Sequence, residues 1–161
     1  TLRDGAVGFD LLAPMSRDAL LGLSIAAEGS TPAQHVKAIV AMRAADDSSQ
    51  PTSAVAARIG LLAELTPLLD PTTLHAGDDL PVKLVVDLGE AKGVAIDVEH
   101  RPLGGGSIIY TTTRTGDTGV AIVRMQGDGS YALAARVEVG GLDGTRTAAL
   151  TTLTFALGGK R

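Results

Sequence analysis

Apolar and polar residues alternate with a period of two through the second half of the chain, and this pattern constrains the fold more than any other feature. Successive side chains of a β-strand point to opposite faces of its sheet, so the alternation predicts strands with one buried face. The pattern occurs in five segments, at residues 80–87, 93–100, 119–125, 131–139 and 147–157. Segment 119–125 alternates less cleanly than the others, which favours a strand covered on both faces.

Turn-forming residues separate these segments. Gly and Asp, which tolerate positive φ angles, occur at residues 76–78, 88–90, 104–106, 116–119, 127–129 and 140–141. Short strands with such turns between them are typical of a β-sandwich. We therefore predict an all-β protein with an immunoglobulin-like or prealbumin-like β-sandwich at residues 67–161. Its core should contain Val82, Leu84, Val94, Ile96, Leu133, Val137, Leu153 and Phe155.

Residues 1–66 carry a weaker signal, and we expect a smaller, mostly β region there that forms an incomplete domain. The alternatives are strands at residues 6–12, 19–27 and 35–43, or helices at residues 16–27 and 30–45. Thr31 followed by Pro32 suits the start of a helix. The alternation of Val36 and Ala38 with Lys37 instead favours a strand at 35–43. Polar residues at 45–53 indicate a loop or linker.

Composition excludes several classes of function. The 161 residues carry 14 Lys and Arg against 18 Asp and Glu, a net charge of −4, and no basic stripe that would neutralise a nucleic-acid backbone. The chain has no Cys, which removes disulfides and thiolate nucleophiles. Its apolar runs are shorter than the roughly 20 residues that a membrane-spanning helix needs. No signal peptide opens the chain, and Thr1 in place of Met indicates that this sequence begins inside a longer product, so any targeting segment would have been lost.

Three residues of one turn are the candidate metal ligands. His75 precedes Asp78 and Asp79, and imidazole and carboxylate groups together can bind a divalent cation. A structural interpretation competes with this one, in which Asp78 accepts hydrogen bonds from turn amides and His75 is merely exposed. His100 continues the apolar parity of its strand and suits a capping or partly buried position. His35 has no carboxylate near it in the sequence.

Patterns that would indicate catalysis or cofactor binding do not occur in the sequence. The chain has no Gly-x-Ser-x-Gly elbow between a strand and a helix and no phosphate-binding Gly-Lys-Ser/Thr loop. The glycines at 104–106 indicate a hairpin loop. Asp97 and Glu99 share one face of a strand, where solvated carboxylates are the simplest interpretation. We expect a protein without catalytic residues and without a cofactor other than a divalent metal.

One segment resembles a known family. Residues 65–84 read LTPLLDPTTLHAGDDLPVKL, which is similar to the pattern P-L-x-D-P followed by L-x-A-G-D-x-L-P-V-x-V in the bacterial DUF4198 family. The turn at 117–119, the strand that begins near Tyr131 and the closing residues 153–155 continue the resemblance, which covers about residues 59–157. It implies an exported β-sandwich protein, periplasmic or extracellular, linked to nickel or cobalt uptake.

These observations favour a non-catalytic exported binding or accessory module that is linked to divalent metal uptake. Its partner would be a protein or a component of the cell envelope. The alternative is a structural or assembly protein that forms a homo-oligomer through its β-sheet surfaces.

Overall fold

The computed structural model describes residues 2–3, 6–7, 19–25, 33–40, 58–87, 91–140 and 144–158, and almost all of its regular structure is β. The strands are β1 (Leu2–Arg3), β2 (Ala6–Val7), β3 (Ala19–Ile25), β4 (Ala33–Val40), β5 (Ala63–Pro67), β6 (Asp79–Val86), β7 (Ala95–Pro102), β8 (Ile109–Arg114), β9 (Val120–Arg124), β10 (Gly129–Gly140) and β11 (Arg146–Leu157). A 3-10 turn, Pro71–Thr73, lies between β5 and β6.

Two sheets pack face to face around one apolar core. The large sheet has the strand order β3-β4-β11-β10-β7-β8, and the small sheet has the order β5-β6-β9. Buried side chains of both sheets form a single cluster, which includes Leu65 and Leu84 from the small sheet and Ile96 and Leu133 from the large one. The predicted all-β sandwich is therefore confirmed, while its immunoglobulin-like or prealbumin-like character stays a prediction.

The alternation in the sequence identified the buried faces of most strands. All the predicted core residues are buried except Val94, which packs against the core while partly exposed. The expectation that segment 119–125 is covered on both faces is wrong. In β9, Ala121 and Val123 are buried whereas Ile122 is 51% exposed, because only one face of β9 points toward the large sheet.

The N-terminal region contributes strands, and the helical alternatives are wrong over the described residues 19–25 and 33–40. Strand β4 pairs in parallel with β11, and β3 pairs antiparallel with β4, so both extend the large sheet. The loop expected at 45–53 and the turn expected at 88–90 lie outside the described residues, as does the strand expected at 6–12 beyond Val7. The proposed boundary between residues 66 and 67 stays a prediction; β5, the first strand of the small sheet, begins at Ala63.

Strand β4 buries its more polar face and leaves the face that carries its alternating apolar residues partly exposed. His35, Lys37 and Ile39 are buried, whereas Val36 and Ala38 are partly exposed. The reason lies in the facing strand β5, which packs against β11 and β4 and presents a carboxylate to Lys37.

A buried ion pair joins these two strands. Lys37 Nζ lies 2.8 Å from Glu64 Oε1, and the two side chains are 1% and 0% exposed. Glu64 also accepts hydrogen bonds from the backbone N–H groups of Ile59 and Gly60, at 3.0 to 3.2 Å. Burial alone would raise the pKa of Glu64, but the hydrogen bond from Lys37, the two amides and the charge of Lys37 outweigh it and hold this pKa below its usual value.

Removing one member of the pair should be costly. We expect Lys37→Met to lower the free energy of unfolding by about 3–5 kcal/mol, because Glu64 would keep its charge in the core without its 2.8 Å partner, and the remaining cation, Arg58, is half-exposed and 3.9 Å away. The double variant Lys37→Met/Glu64→Gln should recover most of this loss, since glutamine retains an acceptor for the Ile59 and Gly60 amides. Urea denaturation measures both. Lys83→Met is the matched control at an exposed lysine, and an equal loss there would contradict the prediction.

Acid should lower the free energy of unfolding through two buried groups of the same region, His35 and Glu64. Burial holds the pKa of His35 below its ordinary value of 6.5, and that of Glu64 lies below 4.5, so the unfolded chain takes up each proton at a higher pH than the folded chain does. The stability that both groups contribute is therefore complete above about pH 6.5 and declines as the pH falls, first through His35 and then through Glu64. Urea midpoints between about pH 7 and pH 4 measure this decline. In the variant His35→Gln, the decline of the urea midpoint just below pH 6.5 should disappear. An unchanged decline would contradict the assignment of this pH dependence to His35.

Candidate functional site

Three loops meet at one end of the sandwich, and we call them the loop end: residues 68–78, 103–108 and 125–128. Backbone hydrogen bonds tie them together. Gly77 N–H donates to Met125 O at 2.9 Å, and Met125 N–H donates to Asp78 O at 2.9 Å. Leu103 N–H donates to Asp128 O at 3.0 Å. The loops therefore form one connected surface instead of three independent turns.

Tyr131 fixes the loop that connects β9 to β10. Its hydroxyl accepts hydrogen bonds from the N–H groups of Gln126 and Gly127, at 2.9 and 3.1 Å, and donates to Gly127 O at 2.7 Å. This is the geometry of a tyrosine corner, which links a strand of a Greek-key sandwich to the loop before it. Burial raises the pKa of the Tyr131 phenol, so the hydroxyl remains a donor at any ordinary pH.

An aromatic stack supports the loop end from below. The ring of Tyr131 lies between those of its cross-strand neighbours His100 and Phe155, with centroid distances of 4.4 and 5.2 Å and nearly parallel planes. His100 is 2% exposed, so it is more deeply buried than the capping position that the sequence suggests. Its Nε2 lies 3.3 Å from Asp128 O, which connects the stack to the loop above it.

Gly129 allows this close packing at the start of β10. Its φ angle is +149°, in a region that favours glycine, and a Cβ atom there would collide with Arg101 O and lie 2.9 Å from His100 Nε2. Only glycine lets the backbone approach β7 and the imidazole of His100 so closely. The turn signal at 127–129 in the sequence therefore reflects a packing requirement as well as a change in chain direction.

The predicted metal ligands lie on this surface but are only partly brought together. His75 is exposed, its backbone N–H donates to Asp78 Oδ2 at 2.8 Å, and its Nδ1 lies 3.6 Å from the same oxygen. Asp79 is turned instead toward Arg124, whose Nη1 donates to Asp79 Oδ1 at 3.0 Å. Within the described ranges, no three His, Cys, Asp or Glu side chains are placed to hold a metal ion. The metal role of His75, Asp78 and Asp79 stays a prediction.

The other candidate residues lie away from the loop end or in surface contacts. His35 is a residue of β4, and its side chain is buried in the core. Asp97 accepts a hydrogen bond from Thr112 Oγ1 at 2.9 Å, and Glu99 accepts one from Arg101 Nε. Both carboxylates lie on the outer face of the large sheet, where contacts within the chain account for their positions.

Sequence reasoning missed the exposed apolar residues of the loop end. Leu68, Leu69, Leu103 and Ile108 are 43%, 48%, 61% and 40% exposed, respectively. Their signal in the sequence is the presence of large apolar residues inside segments rich in turn formers, such as Leu103 before three glycines. Large apolar side chains on a stiff backbone are typical of surfaces that bind other molecules. The described residues contain no helix that could serve as a membrane span.

Comparison with models of known families matches residues 24–139 to DUF4198, a domain of unknown function. The match begins earlier and ends sooner than the resemblance at residues 59–157, and it includes β4, Lys37 and Glu64. The comparison with curated proteins and the comparison with solved structures each find no match.

Removing the Tyr131 hydroxyl should loosen the loop end. We expect Tyr131→Phe to lower the free energy of unfolding by about 1–3 kcal/mol, because the N–H groups of Gln126 and Gly127 lose their acceptor while the ring stack remains. Amide hydrogen exchange should accelerate at these two residues before it does in the strands. Tyr110→Phe is the matched control, since Tyr110 is 69% exposed. Equal effects of the two substitutions would contradict the role of the hydroxyl.

Proposed function

The chain belongs to the DUF4198 family, and on that premise we propose that it is a non-catalytic exported binding or accessory module whose loop end contacts a protein or cell-envelope partner. One observation carries the proposal: four exposed Leu and Ile side chains stand on two loops, 68–78 and 103–108, that are both joined by backbone hydrogen bonds to the third loop, 125–128.

Preorganisation is what makes such a surface suitable for binding. A loop that is already held in one conformation loses less conformational entropy when it binds a partner. The tyrosine corner, the His100–Tyr131–Phe155 stack and the close approach at Gly129 all restrict the base of the loop end. The apolar side chains above it supply surface whose burial favours association.

The proposed lack of catalysis is supported by how the loop end uses its ionisable groups. Asp78 accepts a hydrogen bond from the turn itself, and Asp79 is paired with Arg124. Each of these side chains has a structural contact that explains its position. Export to the periplasm or the cell exterior rests on the family resemblance, and fractionation of cells that express the full-length gene product tests it.

A photo-crosslinking amino acid at Leu69 or Leu103 tests the loop end as a binding surface. In cells that express the full-length protein, both positions should give the same discrete cross-linked product, which mass spectrometry identifies. Ile122 is the matched control because it is 51% exposed on the outer face of the small sheet. A product from Ile122 alone, or none from either loop position, would overturn the proposal.

The link to nickel or cobalt is tested separately by titration calorimetry with Ni²⁺ near neutral pH. We expect no binding in the micromolar range, because the loop offers one imidazole and one neighbouring carboxylate while Asp79 is engaged by Arg124. Tight sites usually supply more ligands. Micromolar binding that His75→Ala abolishes would show this expectation to be wrong and would assign His75 and Asp78 as ligands.

The assembly alternative is favoured by a different observation. A homo-oligomer built through β-sheet surfaces needs a strand that remains open to pairing, and β8 lies at the edge of the large sheet.

A further inference from the structure

Strand β8 has a hydrogen-bonded neighbour on only one side among the strands that the structure describes. It pairs antiparallel with β7, and it ends the strand order of the large sheet. Its first four residues, Ile109 to Thr112, are exposed, although their side chains point alternately to the two faces of the sheet. Strand β9 of the small sheet contacts β8, but these four residues stay exposed, so side chains on both faces of β8 are accessible there.

The composition of β8 suits pairing with another strand. Soluble proteins usually protect an edge with Lys, with Pro or with a bulge. Residues 109–113 contain Ile, Tyr and three Thr, all with high β propensity, and neither a charged residue nor a proline. The one charged residue of the strand is Arg114, at its end.

We infer that β8 pairs antiparallel with β8 of a second copy of this chain, around a two-fold axis at Thr112. This inference rests on the assembly alternative, for which it identifies the contact surface between copies. It does not depend on the loop end. The pairing would join the two large sheets into one continuous sheet, with the same residues of both copies in the contact, as a closed dimer requires.

The register follows from the side-chain faces. Opposite residues of an antiparallel pair lie on the same face, so with Thr112 at the axis Tyr110 lies opposite Arg114 of the second copy, and Thr111 lies opposite Thr113. The Tyr110–Arg114 pair occurs twice, once on each side of the axis. A guanidinium over a tyrosine ring is a favourable contact, and this register also keeps the two Arg114 side chains apart.

Charge on the neighbouring strand agrees with this register. Glu99 of β7 lies directly opposite Tyr110 within one copy. Arg114 of the second copy would thus lie in the same row as Tyr110 and Glu99, two strand spacings or about 10 Å from the glutamate backbone. Arg114 Nη1 donates to Gly93 O at 3.0 Å, and the other guanidinium N–H groups remain donors for this row.

Substitutions at the axis test the inference with the full chain. Thr112→Lys and Thr112→Glu each place two like charges opposite one another. In Thr112→Glu the carboxylates also lie beside Asp97, which is opposite position 112 on β7, so this variant should raise the dissociation constant of the dimer about tenfold or more, equivalent to about 1.4 kcal/mol. Thr112→Lys should raise it less, because Asp97 of the same copy offsets part of the added charge. An equimolar mixture of the two variants should recover the dimer, because the introduced lysine of one copy would then face the introduced glutamate of the other. Sedimentation velocity measures the mass, which should be twice the 16.3 kDa of one chain for the wild type.

The control is Ile122→Lys, which adds the same charge at an exposed position of the small sheet and should leave the dimer intact. Thermal midpoints verify that each variant is folded. A monomeric wild type would overturn both the inference and the assembly alternative. A dimer that persists in both Thr112 variants, or a mixture that stays monomeric, would overturn the β8 interface alone.

Discussion

Two sheets of unequal width share one apolar core, and much of the architecture follows from this constraint. Three strands cannot cover six completely, so the strands toward the margins of the large sheet differ in how much of the small sheet packs against them. Toward one margin, β5 packs against β11 and β4 and provides Glu64 for Lys37. Toward the other margin, β8 contacts β9 of the small sheet, but Ile109 and Tyr110 remain exposed. The core thus holds a buried ion pair toward one margin of the large sheet and leaves an exposed edge strand at the other.

The Lys37–Glu64 pair is better understood as a device for specificity than as a source of stability. Removing two charges from water costs several kcal/mol, and an apolar pair of similar volume is often at least as stable. What the pair does control is the position of β4 relative to its neighbour β11. A slip of β4 by one residue along β11 would move Lys37 to the outer face and leave Glu64 buried without its cation. We interpret the pair as fixing the register of the parallel β4–β11 ladder, which has no tight turn to set it.

The loop end combines a rigid base with an apolar upper surface. Tyr131 contributes to the base twice, through its hydroxyl to the loop backbone and through its ring to His100 and Phe155. Leu69 and Leu103 above it can therefore be exposed without loosening the fold beneath them. The loop end and the β8 edge adjoin, because residue 108 of the loop end is followed directly by Ile109 of β8, but the two surfaces have no residue in common.

The alternating strands could be predicted from the sequence, including the buried faces of β6, β7, β10 and β11 and the inward parity of His100, because burial of one strand face places apolar residues at every second position. It also identified the turn at His75 and Asp78, where the contacts span three residues. Strands β5 and β8 escaped detection because β5 is buried at every position and β8 is exposed at nearly all of them, so neither alternates. The buried face of β4 could not be predicted without the three-dimensional contacts, since the carboxylate that makes Lys37 acceptable in the core lies 27 residues away along the chain.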